Sequence, residues 1–100
     1  MSDEQKHTLQ VWDMLGETSD VLIDALQSGD MDKSHEAISI LLMQAVDIFG
    51  QEHPVFQQCF PAWDAIKTHI DSNNQERALS QAQTWKRQLE EIKAIVAGAI

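Results

Sequence analysis

The chain has 100 residues, of which 43% are hydrophobic and 23% charged, with four Gly and two Pro, so it carries enough apolar material for one core and too little chain for two. Sixteen acidic against seven basic side chains give a formal charge of -9, which repels nucleic-acid phosphates and anionic lipid and steers toward basic partners. A nucleic-acid binder, a disordered chain and a disulfide scaffold are thereby excluded, since the single cysteine, Cys59, has no partner within the chain.

Leu9, Trp12, Leu15, Ser19, Leu22, Ile23 and Leu26 recur at helical spacing and predict a first helix, ended by Ser28-Gly29-Asp30. On its other side, Asp13, Glu17, Asp20 and Asp24 follow one another at intervals of four, three and four. That spacing keeps four carboxylates within an arc of about 60°. A second stripe, Ile38, Leu41, Leu42, Ala45, Ile48 and Phe49, follows Asp30 or Asp32 as N-cap and stops at Gly50, suited to a C-terminal cap. Phe56, Cys59, Phe60, Trp63, Ile66 and Ile70 make a third, with Pro54 in the first turn and Asp71-Ser72-Asn73-Asn74 as the break. Pro61 within it removes a backbone donor, so this helix is expected either to kink near Gln57 or to restart at Pro61. Ala78, Ala82, Trp85, Leu89, Ile92 and Val96 outline the fourth.

Short connections between four amphipathic helices predict an all-α, four-helix, up-down-up-down antiparallel bundle built of two helical hairpins, with residues 1–100 forming one domain. Leu26 to Lys33 can be laid over Ile70 to Arg77, an offset of 44 residues (70 minus 26). Both junctions need the same polar punctuation, so ordinary turn-and-cap chemistry, rather than an internal repeat, is the expected source of this match.

Catalytic and metal signatures are absent. His53 lies six residues before Cys59, a spacing that does not bring base and thiol together on a helix, and Cys59 is in phase with Phe56 and Trp63, as a packing residue would be. Glu4-x-x-His7 and Asp32-x-x-His35 each place a carboxylate and an imidazole on one helical face, but no apolar stripe contains the inward Asp or Glu that a metal-binding bundle needs. Histidine phosphotransfer domains resemble one another in a Lys and a Gly soon after their histidine, whereas His35 is followed by Glu36-Ala37-Ile38 and His69 by Ile70-Asp71-Ser72. Phosphate loops, nucleophile elbows and haem motifs are also missing. The expectation is a protein that is not an enzyme and has no cofactor and no metal.

What remains is surface for another protein. The acids Asp13, Glu17, Asp20 and Asp24, together with Val11, Met14 and Met31 at the edges of the stripes, are the candidate partner-binding residues, and Ile95, Ala99 and Ile100 are apolar outside the fourth stripe. Trp12, Trp63 and Trp85 fall on the stripes and read as core anchors. In size, acidity and helical-hairpin content the chain resembles small secretion and flagellar export chaperones, although no motif is shared. The start, Met1 to Lys6, lacks the basic and apolar regions of a secretory signal, and no apolar run reaches the roughly 20 residues that cross a bilayer. A cytoplasmic adaptor or chaperone-like module follows, with an apolar groove rimmed by acids and, as partner, a basic or amphipathic segment or a second copy as a homodimer. The alternatives are a metal-binding or catalytic helical bundle and an acidic regulator that occupies a basic protein groove.

Overall fold

In the computed structural model, which describes the backbone of residues 3–98 and the side-chain environments of residues 9–95 and 98, four helices account for the chain. They are α1 (Asp3–Ser28), α2 (Met31–Phe49), α3 (Pro54–Asp71) and α4 (Gln75–Gly98). Each packs against its neighbour in sequence and α1 also packs on α4, while the diagonal pairs barely touch. The helices thus close a ring around one core, and the short connections force each to run against the one before it. Glu4 and His7, like Val96, Ala99 and Ile100, lie outside the residues whose side chains are described.

The turns show why the helices stop where they do. Gly29 adopts a left-handed φ of 77°, and the amides of Gly29 and Asp30 donate to the carbonyls of Leu26 (3.2 Å) and Ala25 (3.0 Å). These bonds satisfy the last carbonyls of α1 in the pattern of a Schellman turn. Asp30 then caps α2, its carboxylate accepting from the Lys33 amide at 3.0 Å. Between α3 and α4, Asn73 takes a φ of 56°, its amide donates to Ile70 (2.9 Å), that of Asn74 donates to His69 (2.8 Å), and Asn74 Oδ1 accepts from the Arg77 amide (3.2 Å). Every partner lies 44 positions after its counterpart, so the two turns repeat bond for bond.

The repeat extends into the core. Trp12, Leu15, Ser19, Leu22 and Leu26 of α1 fall on Phe56, Cys59, Trp63, Ile66 and Ile70 of α3, and Ser34, Ile38, Leu41 and Ala45 of α2 fall on Ala78, Ala82, Trp85 and Leu89 of α4, all of them buried. The molecule is therefore two equivalent hairpins packed face to face. Residue identity hides this because matched core positions hold side chains of very different size. Ser19 occupies in one half the position that Trp63 occupies in the other, and Leu41 the position of Trp85. The small Ser19 leaves room for the Trp85 indole, whose Nε1 donates to Ser19 Oγ at 2.9 Å, and Trp63 meets Trp85 edge on at 5.2 Å between ring centroids. Each fully buried Leu or Ile contributes about 1.5–3 kcal/mol.

The α2–α3 connection is made differently. Gly50, at φ 82°, returns its amide to the Val46 carbonyl at 2.8 Å, and His53 caps α3 by accepting the Val55 amide on Nδ1 at 3.1 Å, ahead of Pro54 at the first position. Pro61 neither ends nor restarts α3, which is one helix of 18 residues. The carbonyl of Gln57, deprived of its usual donor by the proline, belongs to an exposed residue, as does Pro61 itself, so water can serve it.

Candidate partner-binding surface

The acidic ridge of α1 divides into two functions. Asp13 pairs with Lys93 at 2.7 Å and Asp20 with Lys86 at 3.0 Å, and Lys86 also donates to the Gly16 carbonyl at 3.3 Å. These contacts line the seam between α1 and α4, where Gly16 is buried and a Cβ in its place would stand 3.4 Å from Leu89 and from Lys86 Nζ. Donating to the Asp13 carboxylate pushes the pKa of the Lys93 ammonium above its ordinary value. Half the ridge therefore helps dock α4, each exposed pair contributing about 0–1 kcal/mol. Glu17 and Asp24 point outward, and neither has a salt-bridge partner among the described residues.

The apolar candidates also separate. Val11 is buried and belongs to the core, and Met31 is half-buried against it, so both support the bundle. Met14 is 38% exposed. It has company that its own helix does not reveal: Val21 on α1 and Ile40 and Met43 on α2 are 47%, 42% and 66% exposed. Val21, Ala37 and Ile40 line a shallow groove between α1 and α2, bordered by Lys33 and Glu36, and a second depression on α2 is lined by Leu42, Met43, Val46 and Asp47. Ile40 and Met43, one turn apart, are the exposed apolar side chains of α2, set among Lys33, Glu36 and Asp47.

The internal repeat supplies a control for that surface. Positions 40, 42, 43 and 46 of α2 correspond to 84, 86, 87 and 90 of α4, where Ile, Leu, Met and Val are replaced by Thr84, Lys86, Arg87 and Glu90. Where α2 leaves Ile40 and Met43 exposed, α4 has Thr84 and Arg87, while Lys86, at the position of Leu42, is held in the α1–α4 seam. Leu42 and Val46 also pack on the core, but bundle packing does not demand Ile40 and Met43, since α4 does without apolar side chains at their positions. Sequence periodicity misses Ile40 and Met43 because they sit in the run Ile38-Ser39-Ile40-Leu41-Leu42-Met43, where core and surface residues are equally apolar. The available signal is that this arc is wider than a core stripe requires.

Groups with chemical potential are otherwise occupied. Cys59 is buried, and burial pushes its thiol pKa up, away from the thiolate that a nucleophile needs. His53 is engaged as a helix cap, and His35 faces Asp71 across the α2–α3 seam at 3.4 Å, where Asp71 also meets Lys67 at 3.4 Å. Among the described residues, no three His, Cys, Asp or Glu side chains gather as metal ligands would, and no helix is long and apolar enough to cross a membrane. Trp12, Trp63 and Trp85 are all core residues. The aromatic surface is supplied by Phe60, 40% exposed and stacked on Phe56, beside Gln57 and Pro61. No protein-family model matches the chain, and neither does a curated protein or a solved structure.

Proposed function

We propose that the protein is a non-catalytic, cytoplasmic protein-binding module, an adaptor or chaperone-like bundle that receives a partner on the outward face of α2. The observation that carries this reading is the contrast between the exposed Ile40 and Met43 and their polar counterparts Thr84 and Arg87. An apolar surface that the fold itself can omit is explained by something that covers it. Glu17 and Asp24 on α1, with Glu36 and Asp47 on α2, give the acidic rim; Asp13 and Asp20 contribute charge from within their lysine pairs. Met14 and Val21 extend the apolar floor onto α1.

The test is affinity purification with quantitative mass spectrometry of the wild-type chain, of an Ile40→Thr/Met43→Gln variant, and of an Arg87→Gln control on the matching α4 face. The reading expects a partner that the α2 variant loses and the α4 control keeps. Equal recovery with all three would remove α2 from the account.

A further inference from the structure

Resting on that reading, we infer that the occupant of the α2 face is a basic amphipathic helix of a partner protein, with its apolar side toward Ile40 and Met43 and its lysines or arginines over the flanking acids. Ile40 and Met43 are one turn apart on α2, and Val21 with Ile40 borders a groove that runs between two antiparallel helices. A third helix lying along such a groove buries residues at intervals of three and four, the helix-in-groove mode of recognition.

Charge decides which helix. Glu36 edges the α1–α2 groove and Asp47 edges the depression at Met43, while Glu17 and Asp24 stand on the outer side of α1. None of the four has a salt-bridge partner among the described residues. Lys33 is the cation that borders the same groove, so the rim is acidic in sum. A peptide with apolar and cationic faces meets both features at once, and the chain's net charge of -9 adds long-range attraction.

A second copy fits less well. Two α2 faces set against each other would bring acidic rim to acidic rim, with no cation between them except Lys33 and its mate. The most basic surface on offer is α4, which carries Arg77, Lys86, Arg87 and Lys93. Its exposed positions from Gln75 to Glu91 are polar where a groove-filling helix needs apolar side chains, the exposed Ile95 near its end excepted, and Lys86 and Lys93 are already held by Asp20 and Asp13. Anionic membrane is opposed by the same acids.

The probe is a synthetic helix about five turns long, about 18 residues, with leucines at three- and four-residue intervals and lysines elsewhere, alongside a twin in which every lysine is glutamate. Binding to the whole protein is measured by titration calorimetry at about 0.15 M ionic strength, and wild-type association state by sedimentation at the same concentration. The lysine helix is expected to bind one to one, the glutamate twin not to bind, and Ile40→Thr/Met43→Gln to weaken the lysine helix at least about tenfold, or 1.4 kcal/mol. The melting temperature of the variant establishes that it is folded. Equal binding of both peptides with loss in the variant would leave the α2 face in place and overturn the basic occupant. Binding of the lysine helix that ignores the variant would overturn the face as well. Failure of both peptides to bind refutes the inference, and a wild-type dimer dispersed by the variant would assign the face to a second copy.

Discussion

Ser19→Ala isolates one buried hydrogen bond with little change in volume. Ser19 is fully buried; its Oγ donates to the Leu15 carbonyl at 2.7 Å and accepts from Trp85 Nε1 at 2.9 Å. Alanine removes the acceptor and strands the indole N–H inside the core, at a cost of about 1–3 kcal/mol for an unsatisfied buried donor. The Leu15 carbonyl remains within α1, and the better helix propensity of alanine returns about 0.5 kcal/mol. A net loss of about 0.5–2.5 kcal/mol follows, which for a domain of this size lowers the melting temperature by about 2–20 °C. Circular dichroism during heating and in urea measures it. The same substitution in a Trp85→Phe background should cost less than about 0.5 kcal/mol, since no donor is then stranded. Trp63 gives the contrast, because its Nε1 is buried without a partner and has no hydrogen bond to lose. Equal losses from Ser19→Ala with Trp85 and with Phe at position 85 would refute the reasoning.

Other expectations use the repeat and the exceptions to it. Gly29 stands where Asn73 stands in the second hairpin, both at positive φ; Gly29→Asn should cost under about 1 kcal/mol and Gly29→Val distinctly more, as measured by urea midpoints, because a β-branched residue resists the left-handed region. Pro61→Ala restores the amide that the Gln57 carbonyl lacks and should stabilise the protein by about 1–3 kcal/mol in the same assay. A thiol reagent at neutral pH should modify Cys59 far more slowly in the folded protein than in guanidinium, because burial holds the thiol pKa up. The linkage has a defined sign: a thiol pKa higher in the folded state leaves stability intact below the unfolded value. Stability then falls as pH rises from that value toward the folded one.

The helices were legible because core residues repeat with a period near 3.6 and because Gly29, Gly50 and the Asp71 to Asn74 segment carry the chemistry of helix ends. The hairpin repeat was legible only at its turns, where the same polar hydrogen bonds must form. In the core, Ser19 against Trp63 and Leu41 against Trp85 put the larger side chain in the second hairpin both times, which erases residue identity while the positions stay buried. The choice at Pro61 was open, since whether a helix continues through a proline depends on what can serve the freed carbonyl. The acidic ridge was visible as a pattern, but its division was not: Asp13 meets Lys93 and Asp20 meets Lys86 across separations of 80 and 66 residues (93 minus 13, 86 minus 20), beyond any local rule. Val11 is legible from local spacing, since it stands four residues before Leu15 and eleven before Leu22 on the same helical face, and it is buried with them.

The α2 surface is most directly tested by transferring the character of α4 onto it, as Ile40→Thr/Met43→Gln, and measuring both the melting temperature and the affinity for the lysine-bearing amphipathic helix. Surface substitutions away from core contacts change stability by about 0.5 kcal/mol or less, so the account predicts an almost unchanged melt together with at least a roughly tenfold weaker complex. An unchanged affinity, or a collapse of the fold, would contradict it, the first because the face would then bind nothing and the second because the apolar residues would then be serving the bundle.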